Sequence, residues 1–143
     1  MVQIKKKLIV GISLTILLSC GCISKTENDS FTKTQILKDI TADEAYTLIK
    51  NNSEKNNFII LDIRTIEEYQ SERIQNSIMI DFYSDNFENE LDKLDKNNTY
   101  LIYCRTGRRT GLTLSIMEEL GFLRVYNIIG GITQWKEKGY PTI

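Results

Sequence analysis

The strongest constraint on this chain is a recurring pair of signals: a short apolar run, then the start of a helix. Phe58-Ile59-Ile60-Leu61 and Tyr100-Leu101-Ile102-Tyr103 contain no charged residue. A strand with one face in water alternates apolar and polar positions, so these unbroken runs fit strands covered on both faces. Thr65-Ile66-Glu67-Glu68 and Thr41-Ala42-Asp43-Glu44 have capping-box spacing. The second precedes Ala45, Leu48 and Ile49, and each marks a helix start. Ile78-Met79-Ile80 and Val125-Tyr126-Asn127-Ile128 read as two more strands. Residues 85–94 read as a helix with Phe87, Leu91 and Leu94 on one face. Another helix runs from Thr110 to near Leu120, with Gly121 at its end. Gly130-Gly131 turns the chain into a last helix that carries Trp135 and stops at Gly139. Strands alternating with helices argue an α/β fold: a mostly parallel five-stranded sheet with helices on both faces.

In such sheets, functional loops lie beyond the carboxyl ends of the strands. Asp62, Arg64 and Cys104 all fall at such ends. Cys104 follows an apolar strand and opens Cys104-Arg105-Thr106-Gly107-Arg108-Arg109-Thr110, just before a helix. Backbone N–H groups at a helix start and nearby guanidinium charges both favour thiolate over thiol, and both suit a small anion. The competing reading is a small buried hydrophobe beside a solvated basic loop.

With 143 residues and 41% hydrophobic content, the chain has the length of one domain with a real core, plus a leader. The net charge of −1 provides no global basic field for nucleic acid. Histidine is absent, which removes a Cys-His pair and the usual imidazole metal ligands. Of the three cysteines, two lie near the N-terminus, so neither a Cys-rich metal site nor a disulfide scaffold is expected. No cofactor is called for.

The leader has its own order. Lys5-Lys6-Lys7 is followed by an apolar stretch over 8–18 that is short for a membrane span, then by Leu17-Leu18-Ser19-Cys20-Gly21-Cys22. This resembles a bacterial lipoprotein signal, with Cys20, or failing that Cys22, as the acylated residue. The alternative is an uncleaved N-terminal anchor. The expected organisation is a signal peptide over 1–20, a polar tether over 21–38 and the folded domain over 39–143. That domain would sit in the cell envelope, lipid-anchored to the membrane and outside the cytoplasm.

Three segments taken together resemble the rhodanese family of sulfurtransferases. They are Leu61-Asp62-Ile63-Arg64 with Glu68-Tyr69, the Cys104 to Thr110 loop, and Gly130-Gly131-Ile132-Thr133-Gln134-Trp135 ending in Gly139-Tyr140-Pro141. The resemblance implies that Cys104 carries a persulfide and that residues 105–109 wrap its sulfur with their N–H groups. It implies substrate contact from Arg105, Thr106, Gly107, Arg108 and Arg109, with Arg109 the foremost anion contact and Arg108 as readily a surface charge. Asp62, Arg64 and Thr110 would support the loops. The partners implied are a small anionic sulfur donor and a thiol acceptor. One stretch departs: where the family usually has Gly-His-Ile-Pro-Gly-Ala, this chain has Glu72-Arg73-Ile74-Gln75-Asn76-Ser77.

Two rivals are weighed against sulfur transfer. A Cys-based phosphatase needs an arginine six places after the cysteine, and here that place is Thr110. A persulfide carrier or protein-binding module would share the loop and differ only in turnover.

Overall fold

In the computed structural model, residues 34–143 are described; the expected signal, Cys20, Cys22 and most of the expected tether lie outside the described residues. Five strands and five helices alternate: β1 (Ile36–Ile40), α1 (Ala42–Asn52), β2 (Phe58–Asp62), α2 (Ile66–Ser71), β3 (Ser77–Met79), α3 (Phe87–Asp92), β4 (Thr99–Tyr103), α4 (Arg108–Glu119), β5 (Arg124–Ile128) and α5 (Gly131–Glu137). The strands form one sheet in the order β1-β5-β4-β2-β3, and every pairing is parallel. The expected α/β architecture is therefore present, with β4 in the middle.

The apolar strands divide their side chains between two cores. Tyr100 and Ile102 of β4 face Met117 of α4 and Phe87 and Leu91 of α3. Leu101 and Tyr103 face the other way, onto Ala42 and Ala45 of α1 and Ile132 and Trp135 of α5. A central strand packed on both sides has no solvent face, which is why its sequence does not alternate. Both expected capping boxes are formed. The Thr41 hydroxyl accepts from the Glu44 N–H while Glu44 accepts from the Thr41 N–H, and Thr65 and Glu68 do the same for α2.

Two boundaries differ from the sequence reading. Residues 36–38, assigned to the tether, belong to β1, which pairs with β5 from Ile36↔Arg124 to Ile40↔Ile128. This edge strand is mostly exposed and contains Lys38-Asp39, so it lacks the apolar signature of the buried strands. Helix α4 starts at Arg108 and not at Thr110, because Gly107 at φ 94 makes the turn into it. Arg108 and Arg109 are thus in the helix's first turn.

The departing stretch keeps a defined shape. Ile74 is buried in the second core. Asn76 takes the left-handed conformation at φ 63, a backbone geometry that asparagine tolerates better than most residues. The Arg64 guanidinium donates to the Glu72 carbonyl at 2.6 Å, and the Ile74 N–H donates to the Tyr103 hydroxyl at 3.2 Å.

Candidate active site

The residue next to the central strand is Cys104, at its carboxyl end. Its side chain is 1% exposed, yet it contributes to the wall of a pocket of about 300 Å3 together with Glu68, Tyr83 and the arginines of its loop. Cys104 is thus buried while still lining an opening.

The Gly107 N–H donates to Cys104 Sγ at 3.1 Å, and Thr110 Oγ1 lies 3.8 Å from the sulfur. The Thr110 hydroxyl also donates to the Gly107 carbonyl at 3.0 Å. It has one proton to give, so with that bond made, Oγ1 meets the sulfur as an acceptor for a thiol proton. When the thiol ionises, the hydroxyl can rotate toward the sulfur.

Burial works against the charged form of Cys104. Hydrogen bonds from the Thr110 backbone and hydroxyl and from the Gly107 and Thr106 N–H groups outweigh it, and the thiol is held below its ordinary pKa. The acidity expected from the sequence is present, but the arginines are not its main source. The peptide N–H groups of the turn are.

The turn keeps this shape because its carbonyls are occupied from outside. The Ile132 N–H donates to the Cys104 carbonyl at 2.9 Å, and the Thr133 N–H and hydroxyl donate to the Arg105 carbonyl at 3.2 and 2.9 Å. With the carbonyls drawn toward α5, the N–H groups of the turn point inward to the sulfur. This contact requires glycine at 131. A Cβ there would lie 2.3 Å from the Cys104 carbonyl oxygen and 2.8 Å from Arg105 backbone atoms, and φ is +57. The sequence reading took Gly130-Gly131 as a turn and missed this role.

The three arginines have different surroundings. Arg109 makes a two-pronged ion pair with Glu68, Nη1 to Oε2 at 2.7 Å and Nη2 to Oε1 at 2.8 Å, and its guanidinium carbon lies 5.6 Å from the centre of the Tyr83 ring. Its charge is therefore shared with a carboxylate, and any anion it binds must share it too. That hydrogen bonding holds the Glu68 carboxyl below its usual range. Arg105 and Arg108 are exposed and make no side-chain ion pair among the described residues. Glu68 was legible as a capping residue and as part of the Glu68-Tyr69 segment of the resemblance, but nothing in its spacing connects it with a residue 41 positions away. Tyr83, which is exposed, carried no sequence signal.

Asp62 and Arg64 form a buried pair at the carboxyl end of β2. The Asp62 carboxylate accepts from the Arg64 N–H at 2.9 Å, from Nε at 3.0 Å and from Nη2 at 2.7 Å, with both residues buried. Burial opposes the Arg64 charge, and Asp62 more than offsets it, leaving the guanidinium pKa raised. Arg64 also lies 5.5 Å from the Tyr103 ring centre. The pair thus ties the end of β2 to β4 and to the 72–77 stretch. Trp135 is buried in the second core, and its indole N–H donates to the Pro141 carbonyl at 3.0 Å. No metal-holding cluster of acidic or cysteine side chains occurs among the described residues.

The model of the rhodanese-like domain matches residues 41–138. The thiosulfate sulfurtransferase GlpE of Coxiella burnetii is 31% identical over 105 residues, covering 73% of this chain and 92% of that protein. A rhodanese-related protein from Thermoplasma volcanium has the same fold with a TM-score of 0.64 at 28% identity, over 74% of this chain and 97% of the other. A rhodanese-like domain protein from Staphylococcus aureus is 32% identical, with a TM-score of 0.56 over 68% and 90%.

Proposed function

The chain belongs to the rhodanese family, and from that premise we propose that it moves sulfane sulfur from a small anionic donor, such as thiosulfate, to a thiol or cyanide through a persulfide on Cys104. The observation that carries this reading is the buried Cys104, its Sγ held by the Gly107 N–H at 3.1 Å, lining a pocket with Arg105, Arg108 and Arg109. In the first half-reaction the Cys104 thiolate attacks the outer sulfur of thiosulfate. The S–S bond of the donor breaks, sulfite leaves with the electron pair, and Cys104–S–S⁻ remains. The N–H groups that favour the thiolate are placed to favour this anion too. The acceptor's nucleophilic atom then takes the outer sulfur and Cys104 returns as thiolate. Neither step needs a general base, and the pocket's carboxylate, Glu68, is committed to Arg109.

This geometry weighs against phosphatase chemistry. The loop's arginine comes one position early and is paired with Glu68, so a dianionic phosphoryl group would have to compete with a carboxylate for it. The test is to expose the full chain to thiosulfate and measure the mass of the peptide carrying Cys104. A gain of one sulfur, about 32 Da, lost again on adding cyanide or a thiol and absent in Cys104→Ser, supports transfer. Loading without release supports a carrier. Hydrolysis of an aryl phosphate without loading refutes sulfur transfer.

The basic, apolar and small-residue blocks of the leader support a second proposal: acylation at Cys20, or at Cys22, anchors the domain on the outer side of a membrane in the cell envelope. Mass spectrometry of the membrane fraction should find a lipid-modified N-terminal cysteine. A chain that begins at Met1 refutes it.

A further inference from the structure

Beside the Cys104 pocket lies a second cavity of about 430 Å3, within the range of small-molecule sites, roughly 300–1,000 Å3. Arg105 and Glu68 line both cavities, so the two meet at the loop that holds Cys104. Their charges differ. The Cys104 pocket has Arg105, Arg108 and Arg109 against Glu68, a cationic excess suited to an anionic sulfur donor. The second cavity sets Arg64, Arg105 and Lys136 against Glu68, Glu72 and Glu137, and its formal charges cancel.

Several of these charges are already committed. Arg64 is held by buried Asp62, and Glu68 by Arg109. Lys136 and Glu72 form an ion pair at 2.7 Å, with side chains 48% and 33% exposed. Such a half-exposed pair is worth little to the fold and can open for a ligand that replaces each partner with a like charge. A carboxylate can take the place of Glu72 against Lys136, with Arg105, which has no ion pair among the described residues, lining the same cavity. An ammonium can take the place of Lys136 against Glu72. A simple anion satisfies only half of this arrangement.

Building on the proposed sulfur transfer, we infer that this cavity seats the acceptor of the second half-reaction, and that the acceptor is a low-molecular-weight thiol bearing both a carboxylate and an ammonium group. Its thiolate attacks the outer sulfur of Cys104–S–S⁻. The new S–S bond forms on the acceptor, the bond to Cys104 breaks, and the acceptor leaves as a persulfide anion while Cys104 regains its thiolate. Two anions enter and two leave, with no oxidant or reductant consumed.

The test separates this inference from the transfer chemistry beneath it. The full chain is loaded with thiosulfate, freed of excess donor, and discharged with cysteine, cysteamine, 3-mercaptopropionate or cyanide. The thiols are compared at equal thiolate concentration. Cysteine carries both charges, the next two carry one each, and cyanide is too small to span the cavity. The expected order is cysteine ahead of both single-charge thiols. Lys136→Met and Glu72→Gln should each raise the cysteine KM about tenfold, the scale of one charge-assisted hydrogen bond lost. Loading and discharge to cyanide should stay as in the unaltered protein. Equal discharge by the three thiols overturns the inference while leaving sulfur transfer intact. So do variants with an unchanged cysteine KM, or variants that slow cyanide equally. Failure to load any sulfur overturns the transfer reading and the inference with it.

Discussion

Replacing Gly131 by alanine perturbs one close approach between α5 and the Cys104 turn. The added Cβ would be 2.3 Å from the Cys104 carbonyl oxygen, so the backbones must separate by most of an ångström. That movement stretches the bonds from Ile132 N–H to the Cys104 carbonyl and from Thr133 N–H to the Arg105 carbonyl, now 2.9 and 3.2 Å. Each such bond contributes about 1 kcal/mol net, and a side chain in the left-handed region costs about 1 kcal/mol more. Gly131→Ala should therefore lower unfolding stability by about 3 kcal/mol. The carbonyls freed from α5 should also let the turn relax, so that its N–H groups lose their aim at the sulfur and loading from thiosulfate slows. Gly111→Ala is the control. It lies in α4 with open space around a new Cβ and no positive φ, so it should be neutral or stabilise by up to about 1 kcal/mol. Urea denaturation of the full chain measures stability, and the mass gain at Cys104 measures loading. If Gly131→Ala matched Gly111→Ala in both, the idea that α5 sets the turn's geometry would be refuted.

Asp62→Asn leaves the Arg64 guanidinium buried without its counter-charge and should cost about 3–5 kcal/mol, read as a lower urea midpoint; a change below about 1 kcal/mol would mean the pair behaves like a surface one. Arg105→Ala should raise the KM for thiosulfate with kcat little changed, whereas Arg109→Ala should lower kcat as well, because it also releases the Glu68 carboxylate in the Cys104 pocket. Equal effects on both constants would show that pairing with Glu68 does not distinguish these arginines. The hydrogen bonds to Cys104 favour thiolate, so reactivity toward iodoacetamide should rise with pH through a midpoint below that of a free thiol, about 8.5. Thr110→Val removes the hydroxyl and should move that midpoint upward, and an unmoved midpoint would assign the acidity to backbone N–H groups alone.

The sequence by itself determined the parts whose signals are local. Apolar runs announced the buried strands because a strand covered on both faces cannot alternate. Thr41 with Glu44 and Thr65 with Glu68 announced two helix starts because the capping contact spans three residues. Cys104 stood out because its turn between an apolar strand and a helix also carries three arginines and Gly107, which an inert core cysteine does not need. Strand β1 escaped because an edge strand with Lys38 and Asp39 on it has no apolar run to read. Only the tertiary structure decided what surrounds the sulfur. Glu68 reaches Arg109 across 41 positions and shares its charge, Gly131 brings α5 against the Cys104 carbonyl, and Arg64 holds the carbonyl of Glu72, the first residue of the departing stretch. The first two join residues from distant elements, and such contacts form only when the parallel sheet brings the ends of β2, β4 and β5 together. Local chemistry placed the thiol, and packing set the charge and geometry around it.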